Sequence, residues 1–134
     1  MAKIIICSSI NVLYDGNLMY RASDITLEEL LIILSKMPQK EQNTIDGFII
    51  DLDAQFKDSS FPIVSGFDFL YHLRLTPQLG SLQWKPIIAV SFTPIIRMLK
   101  DNPAAIVLMS KGIQFEVNKT VEDFIGISFS EIES

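Results

Sequence analysis

Four short apolar runs are spread along the chain, and their shortness and spacing constrain the fold more than any other feature. Residues 3–7 (KIIIC), 46–51 (DGFIID) and 85–92 (KPIIAVSF) are rich in isoleucine and valine, and GIQFEV occupies residues 112–117. Short apolar runs are typical of strands that are buried on both faces of a sheet. Because helical patterns separate the runs, the sequence predicts an α/β three-layer sandwich with a mostly parallel central sheet.

Helix signals are clear in three places. Thr26 followed by Glu29 fits a capping box, and leucines at helical spacing come after it. Pro38 predicts the end of this helix. Further helices are predicted at residues 65–74 (SGFDFLYHLR) and after the Thr93–Pro94 pair, which supplies an N-cap and a first-turn proline.

Other segments are less determined by the sequence. Asp15–Gly16 predicts a two-residue β-hairpin after the first strand, with a short helix as the weaker alternative. Residues 104–117 fit either a helix and a strand or two strands joined by a turn at Lys111–Gly112. A polar loop is predicted at residues 38–44, and Thr120 is predicted to cap a last short helix.

The composition fits a single domain that spans residues 1–134. The apolar share of 49% allows a sizeable core. No apolar run approaches the roughly 18 residues that a membrane-spanning helix needs. A net charge of −5 with scattered basic residues argues against nucleic-acid binding. Because Cys7 and His72 are the only residues of their types, neither a disulfide nor a zinc site is predicted. The first residues do not resemble a secretory signal, so we expect a cytoplasmic protein.

Three polar side chains follow predicted strands. Asp51, Ser91 and Lys119 stand at or just beyond the ends of the second, third and fourth runs. Ligands bind at the carboxyl ends of the strands in open α/β sheets, so these groups form a candidate phosphoryl-accepting site. The first strand is not followed by a glycine-rich phosphate loop, and no nucleophile–base pair has recognisable spacing. An ordinary enzyme is therefore not predicted.

Residues 65–92 resemble a response-regulator receiver domain. In that family, a helix with glycine, aromatic and acidic residues follows the phospho-acceptor strand. A strand that begins with proline and ends in serine or threonine comes next. The resemblance covers roughly residues 46–125, and it includes Lys119, which lies seven residues beyond Gly112. Its central segment carries Gly66, Phe67, Asp68, Leu73, Arg74, Pro86 and Ser91.

The resemblance implies a flavodoxin-like, receiver-like fold and a role in two-component signalling or a phosphorelay. It would make Asp51 the phospho-acceptor, Ser91 the switch hydroxyl and Lys119 the charge partner. The backbone carbonyl of Asp53 would be a metal ligand. In such a site, Mg²⁺ and the lysine neutralise the incoming phosphoryl charge, and the hydroxyl then bonds the phosphoryl group.

The chain departs from the family pattern where the metal should bind. Ser8 and Ser9 stand where receivers carry an acidic pair, and two hydroxyls cannot replace two carboxylates around Mg²⁺. We therefore expect no cofactor, and Mg²⁺ only if the acidic site is functional. Asp15, Asp53 or Asp58 are the alternative sources of metal ligands.

Three further departures concern the loops and the last strand. Between Ser9 and Thr26 we expect too little chain for an ordinary first helix and second strand. The loop at residues 52–65 is longer than the family's and lacks its Met-Pro pair. The aromatic switch position of the last strand is occupied by Glu116, with Phe115 one place away.

Residues 48–61, FIIDLDAQFKDSSF, also resemble the centre of STAS domains, the anti-sigma-factor antagonists. In those domains, a strand ending in Asp-Leu-Ser precedes an Asp-Ser-Ser-Gly turn whose serine is phosphorylated. The predicted hairpin also suits the early order of that fold. This interpretation makes Ser59 or Ser60 the switch residue, although Phe61 stands where the glycine should be.

The interpretation we favour is a protein-interaction module that resembles a receiver without its Mg²⁺-binding acidic pair. It would bind a kinase or an effector through a face near residues 94–101 and the last strand. The alternatives are an active phospho-acceptor at Asp51 and an antagonist switched at Ser59 or Ser60. The sequence leaves the oligomeric state open, and a homodimer is compatible with it.

Overall fold

The computed structural model describes residues 3–9, 17–57, 65–101, 103, 106 and 112–124. Five strands form one sheet: β1 (Ile4–Ser8), β2 (Leu18–Arg21), β3 (Gly47–Asp51), β4 (Ile87–Ser91) and β5 (Ile113–Val117). Their spatial order is β2-β1-β3-β4-β5, and every neighbouring pair is parallel. The predicted α/β fold with a central parallel sheet is confirmed.

Helices connect the strands. They are α1 (Leu27–Ser35), α2 (Gln39–Gln42), α3 (Gly66–Leu75) and α4 (Ile95–Asp101), with 3₁₀ helices at Ala22–Asp24, Pro77–Trp84 and Val121–Phe124. Within the described residues, no helix combines the length and the apolar character that crossing a membrane requires.

The two faces of the sheet carry separate apolar clusters, because successive side chains of a strand point to opposite faces. The larger cluster joins Ile5, Phe48 and Ile50 to Leu30 of α1 and Phe69 of α3. The smaller cluster is built from alternate strand residues and the last 3₁₀ helix. Its buried members are Ile4, Ile6, Ile49, Ile88, Val90, Val121 and Phe124. Burial on both faces explains why the central strands read as unbroken apolar runs.

The start of α1 confirms the predicted capping box. The backbone N–H of Glu29 donates to Thr26 Oγ1 at 3.0 Å, and the N–H of Thr26 donates to Glu29 Oε1 at 3.3 Å. The helix ends at Ser35, before Pro38, as predicted. The polar loop predicted at residues 38–44 instead contains the four-residue helix α2. Pro38 has a fixed φ that suits the start of a helix. The segment is polar and lacks an apolar pattern, so the sequence did not predict this short helix.

The segment that follows β1 differs from its prediction. β2 lies parallel to β1, with Ile5 opposite Leu18, so the chain between Ser9 and Thr26 does supply a second strand. Whether it also holds a first helix concerns residues 10–16, which lie outside the described residues. β2 needs little chain, because it has only four residues and lies at the sheet edge. The predicted turn at Asp15–Gly16 and its first arm lie outside the described residues.

The last strand is confirmed, and it pairs in parallel with β4. The choice between a helix and a strand before it falls on residues that, apart from Ile106, lie outside those described. The predicted short helix after Thr120 is present as a 3₁₀ turn. There the N–H of Thr120 donates to Asp123 Oδ2 at 2.8 Å.

Candidate functional site

Asp51 is the last residue of β3, and its side chain is partly buried at the carboxyl edge of the sheet. Its Oδ1 accepts a hydrogen bond from the N–H of Asp53 at 3.0 Å, and its Oδ2 accepts one from the Ser9 hydroxyl at 3.4 Å. Its backbone carbonyl accepts from the N–H of Ala54 at 3.2 Å, so the chain turns sharply after the strand. Both carboxylate oxygens of Asp51 therefore have partners within the protein.

Burial and a neighbouring charge raise the pKa of Asp51 above its ordinary value. Desolvation is the larger cause, and the carboxylate of Asp53 adds to it. The hydrogen bonds from the Asp53 and Ala54 backbones and from Ser9 oppose this rise in part. Cys7 is fully buried on β1, as its apolar run predicted, and burial together with the charge of Asp51 raises the pKa of its thiol. The Cys7 thiol is consequently protonated at neutral pH.

Ser91 and Asp53 form a hydrogen-bonded pair at this edge. The Ser91 hydroxyl donates to Asp53 Oδ1 at 3.0 Å, and the backbone N–H of Phe92 donates to Asp53 Oδ2 at 2.8 Å. Ser91 Oγ in turn accepts from the N–H of Thr93 at 2.9 Å. Among the described residues, Ser91 makes no hydrogen bond to Asp51. The carboxylate of Asp53, considered in the sequence only as an alternative metal ligand, instead holds the loop between β4 and α4.

The two serines after β1 occupy different places. Ser8 is buried as the last residue of β1, whereas Ser9 is exposed and lies against Asp51. Ser9 is thus brought to the predicted acceptor residue.

Lys119 lies beyond β5 and is exposed. The residue before it, Asn118, has a φ of 59°, a left-handed conformation that asparagine tolerates better than most residues. The N–H of Asn118 donates to the carbonyl of Ser91 at 2.8 Å, which holds this segment beside β4. In the part of the chain that the structure describes, the ammonium of Lys119 has no ion pair or hydrogen bond.

The two candidates for the aromatic switch position lie on opposite faces of β5. Phe115 packs against the larger core cluster. Glu116 aligns with Val90 of β4, which itself aligns with Asp51 of β3. The Glu116 carboxylate accepts a hydrogen bond from the Gln114 side chain at 2.9 Å.

Gly66 allows α3 to begin against the turn that follows Asp51. A Cβ atom at this position would lie 1.8 Å from the carbonyl oxygen of Asp51, closer than any side chain permits. The N–H of Gly66 also donates to the carbonyl of Ala54 at 2.8 Å. The neighbouring Ser65 is tied to Asp68, whose carboxylate accepts its backbone N–H at 2.7 Å. This close approach is the physical reason for the glycine in the receiver-like segment.

The described residues at this edge do not fit a Mg²⁺ ion. No group of three His, Cys, Asp or Glu side chains within the described residues is arranged to hold a metal. The carboxylate oxygens of Asp51 and Asp53 accept protein hydrogen bonds, and Ser8 and Ser9 supply only neutral hydroxyls. Mg²⁺ requires oxygen ligands in near-ideal octahedral geometry and loses its water reluctantly.

Several residues named in the sequence lie outside the described part of the chain. They are Asp15 and Asp58, the alternative metal ligands, and Ser59 and Ser60, the candidate phosphorylated serines.

Two solved structures share this architecture. The Vibrio cholerae chemotaxis protein CheY4, crystallised at low pH, is 16% identical with a TM-score of 0.50, and the match covers 93% of each chain. The bacteriophytochrome response regulator RtBRR is 14% identical with a TM-score of 0.52, covering 93% of this chain and 75% of its own. Comparisons with protein-family models and with curated proteins find no match. The structural similarity establishes a receiver-type fold.

Proposed function

We propose that this chain is a signalling module with a receiver fold that binds protein partners without phosphorylation of Asp51. The hydrogen bond from Ser91 to Asp53 is the observation that carries the proposal. The proposal includes a cytoplasmic location and no catalytic turnover by the chain itself.

In a receiver-type mechanism, the switch hydroxyl bonds the phosphoryl group on the acceptor aspartate, and the following loop moves with it. Here the carboxylate of Asp53 accepts from the Ser91 hydroxyl and from the N–H of Phe92. Hydrogen bonds to a charged acceptor are stronger than those between neutral groups. A carboxylate that is always present can therefore hold this loop in one position, with no need for a phosphoryl group.

The electrostatics of the edge also disfavour phosphorylation. A phosphoryl group on Asp51 would add negative charge beside Asp53, whose charge already raises the pKa of Asp51. Phosphoryl transfer depends on cations that neutralise the developing charge. Ser8 and Ser9 carry no charge with which to bind a metal, and Lys119 is not bonded to either carboxylate.

The partner surface we propose lies around α4 and the end of β5. Phe92 and Ile96 are 62% and 77% exposed to solvent, and Val117 at the end of β5 is also exposed. Exposed apolar residues close together are typical of protein contact surfaces. Because Asp53 holds the loop that carries Phe92, the same hydrogen bonds would fix the shape of this surface. The partner would be a kinase or an effector protein, and a second copy of the chain is the alternative occupant.

Amide NMR tests the proposal directly. We expect the amide shifts of Asp51, Ser91 and Phe92 to stay unchanged when Mg²⁺ and beryllofluoride, a phosphoryl mimic, are added. Changes that require both additions and disappear in Asp51→Asn would overturn the proposal and establish an active phospho-acceptor. Asp24→Asn, which changes an exposed carboxylate in the 3₁₀ helix Ala22–Asp24, serves as the matched variant.

The antagonist alternative has less support. Its switch residues, Ser59 and Ser60, lie outside the described residues, and Phe61 stands where that family carries glycine. Phosphate mapped to Ser59 or Ser60 after incubation with cell extract would favour it over the proposal.

A further inference from the structure

Arg74, in the last turn of α3, is buried at the amino edge of the sheet, opposite the Asp51 edge. Only 4% of the residue is exposed. Its Nη1 donates to the carbonyl of Gln83 at 2.5 Å and to that of Lys85 at 3.0 Å. The Gln83 side chain returns a hydrogen bond to the carbonyl of Arg74 at 2.7 Å. One end of the guanidinium is therefore fixed to the chain that leads into β4.

The other edge of the same guanidinium has no acceptor. Nε and Nη2 of Arg74 are buried and have no hydrogen-bond partner among the described residues. In a planar guanidinium, the Nε–H and one Nη2–H point the same way, with the spacing of the two oxygens of a carboxylate. Because Nη1 is held in place, this edge has a defined direction. Buried donors are normally satisfied, so an unused pair indicates a missing acceptor.

The surrounding sequence does not supply that acceptor. Residues 69–100 contain no aspartate or glutamate, although the whole chain carries a net charge of −5. Burial lowers the pKa of Arg74 to about 10, so the guanidinium is still charged at neutral pH. Lys85, whose backbone carbonyl accepts from Arg74, adds a second cationic side chain to this stretch without acidic residues. The charged residues of this stretch are therefore all positive, which suits an external anion.

Trp84 adds an exposed aromatic surface at the same place. It is the only tryptophan of the chain, and it is 66% exposed. The guanidinium carbon of Arg74 lies 5.9 Å from the centre of its ring, within the range of a cation–π contact. Tryptophan and arginine are among the residues most enriched at the positions that dominate binding in protein interfaces. The Trp84 ring therefore places an exposed aromatic surface beside the buried guanidinium.

We propose that Arg74 and Trp84 form a docking site for an acidic segment of a partner protein. A carboxylate of that segment accepts two hydrogen bonds from Nε and Nη2 of Arg74, and Trp84 packs over the segment. Lys85 contributes a second positive charge. The site is separate from Asp51 and does not depend on the function proposed for that edge.

Fluorescence of Trp84 measures this binding, with acetylated hexaglutamate amide as the probe. We expect a saturable change in emission whose midpoint rises with salt, because the interaction is electrostatic. Acetylated hexaglutamine amide should produce no change. An unchanged emission with hexaglutamate, or equal binding of hexaglutamine, would overturn the proposal. Inorganic phosphate that binds as tightly as hexaglutamate would also overturn it, since the site would then hold a simple anion.

Variants test whether hexaglutamate binds to the Nε and Nη2 donors of Arg74. Arg74→Lys keeps the charge but lacks the planar pair of donors, so the affinity for hexaglutamate should fall about tenfold. Arg21→Gln removes an exposed cation at the end of β2, outside both proposed surfaces, and should leave the affinity unchanged. If Arg74→Lys does not fold, Lys85→Glu provides the test, because charge reversal there should weaken binding at least as much. Unchanged affinity in the folded variant, or an equal loss in Arg21→Gln, contradicts the proposal.

Discussion

The two edges of the sheet hold charged side chains in opposite ways. At the carboxyl edge, Asp51 and Asp53 accept hydrogen bonds from backbone N–H groups and serine hydroxyls. At the amino edge, Arg74 donates to the backbone carbonyls of Gln83 and Lys85. Within the described residues, neither group forms an ion pair with a side chain of opposite charge. The carboxylates accept from backbone N–H groups and serine hydroxyls alike, whereas the guanidinium donates only to backbone carbonyls.

The two edges differ in how many hydrogen-bonding atoms of their charged side chains have a partner. All four carboxylate oxygens of Asp51 and Asp53 accept hydrogen bonds from the protein. Two buried N–H donors of Arg74, by contrast, have no acceptor in the described part of the chain. A carboxylate at a strand end is thus not sufficient to indicate chemistry, because it can serve to hold a neighbouring loop. An unsatisfied buried donor is the stronger indication of a ligand.

The largest expected effect tests how closely the carboxyl edge is packed. Gly66→Ala should lower the free energy of unfolding by about 3 kcal/mol or more, because its Cβ would lie 1.8 Å from the Asp51 carbonyl oxygen. Helix propensity alone predicts the opposite sign, since alanine is favoured over glycine in a helix. Urea unfolding followed by circular dichroism measures the change.

The matched variant lies near the amino edge. Gly80 has a φ of 60°, and a Cβ there would meet the side-chain oxygen of Gln42 at 2.9 Å. The Gln42 amide is buried and bonded to Met37 and Ser81, but it is the end of a side chain rather than backbone. Gly80→Ala should therefore cost about 2 kcal/mol, mainly from its backbone conformation. A larger loss for Gly80→Ala than for Gly66→Ala would mean that the amino edge is the more tightly packed of the two.

The second prediction concerns what Arg74 contributes to folding. Arg74→Ala should destabilise the protein by about 2 kcal/mol, because two carbonyls lose a charged donor and the buried side chain leaves a gap. The loss is limited because the two unsatisfied donors also disappear. Thermal and urea unfolding should show that Arg97→Ala, at an exposed position, changes stability by less than about 0.5 kcal/mol. Equal effects of the two variants would contradict a structural role for the buried guanidinium.

The third prediction tests the loop contact at the carboxyl edge. Asp53→Ala should cost about 1 kcal/mol and shift the amide NMR signals of Phe92 and Thr93, because Ser91 and Phe92 lose their shared acceptor. Asp24→Ala removes an exposed carboxylate and should do neither. Unchanged signals in Asp53→Ala would show that the loop is held by other contacts.

Much of the fold is predictable because burial on both faces of a sheet produces a recognisable sequence pattern. The three central strands are unbroken apolar runs, and the Thr26–Glu29 pair defines the start of α1. The edge strand β2 was not predicted as a partner of β1. Its residues, Leu18–Arg21, are half-buried or exposed, so they lack the apolar run that identifies a central strand.

The candidate site was predictable only in part. The strand ends identify Asp51 and Ser91, because these positions follow from the apolar runs alone. The hydrogen bond between Ser91 and Asp53 depends on two loops that meet only because β3 and β4 are neighbours. Spacing along the chain does not contain that information. The unsatisfied donors of Arg74 are likewise not predictable, since the sequence identifies the arginine but not which of its nitrogens have acceptors.

The smallest expected effect is the pH dependence of stability that Asp51 contributes. The pKa of its folded-state carboxyl is raised above the ordinary value of 3.8, mainly by burial. The folded protein therefore binds this proton more tightly than the unfolded chain does. The resulting stabilisation is fully present below pH 3.8 and is lost as the pH rises through the folded-state pKa. Asp51→Asn cannot lose a proton, so its stability relative to the natural chain should increase from about pH 3 to about pH 7.

Urea unfolding at a series of pH values, for both proteins, measures this difference. A ¹³C NMR titration of the Asp51 carboxyl gives the folded-state pKa independently. In Asp53→Asn, the pKa of Asp51 should fall, because one neighbouring negative charge is removed while the burial remains. It should stay above its ordinary value, since burial is the larger cause. A relative stability of Asp51→Asn that decreases toward neutral pH would mean that hydrogen bonds and positive charge, rather than desolvation, dominate at the carboxyl edge. The contrast between the two edges would then be larger, because Asp51 would be stabilised as an anion by its partners while two donors of Arg74 lack an acceptor among the described residues.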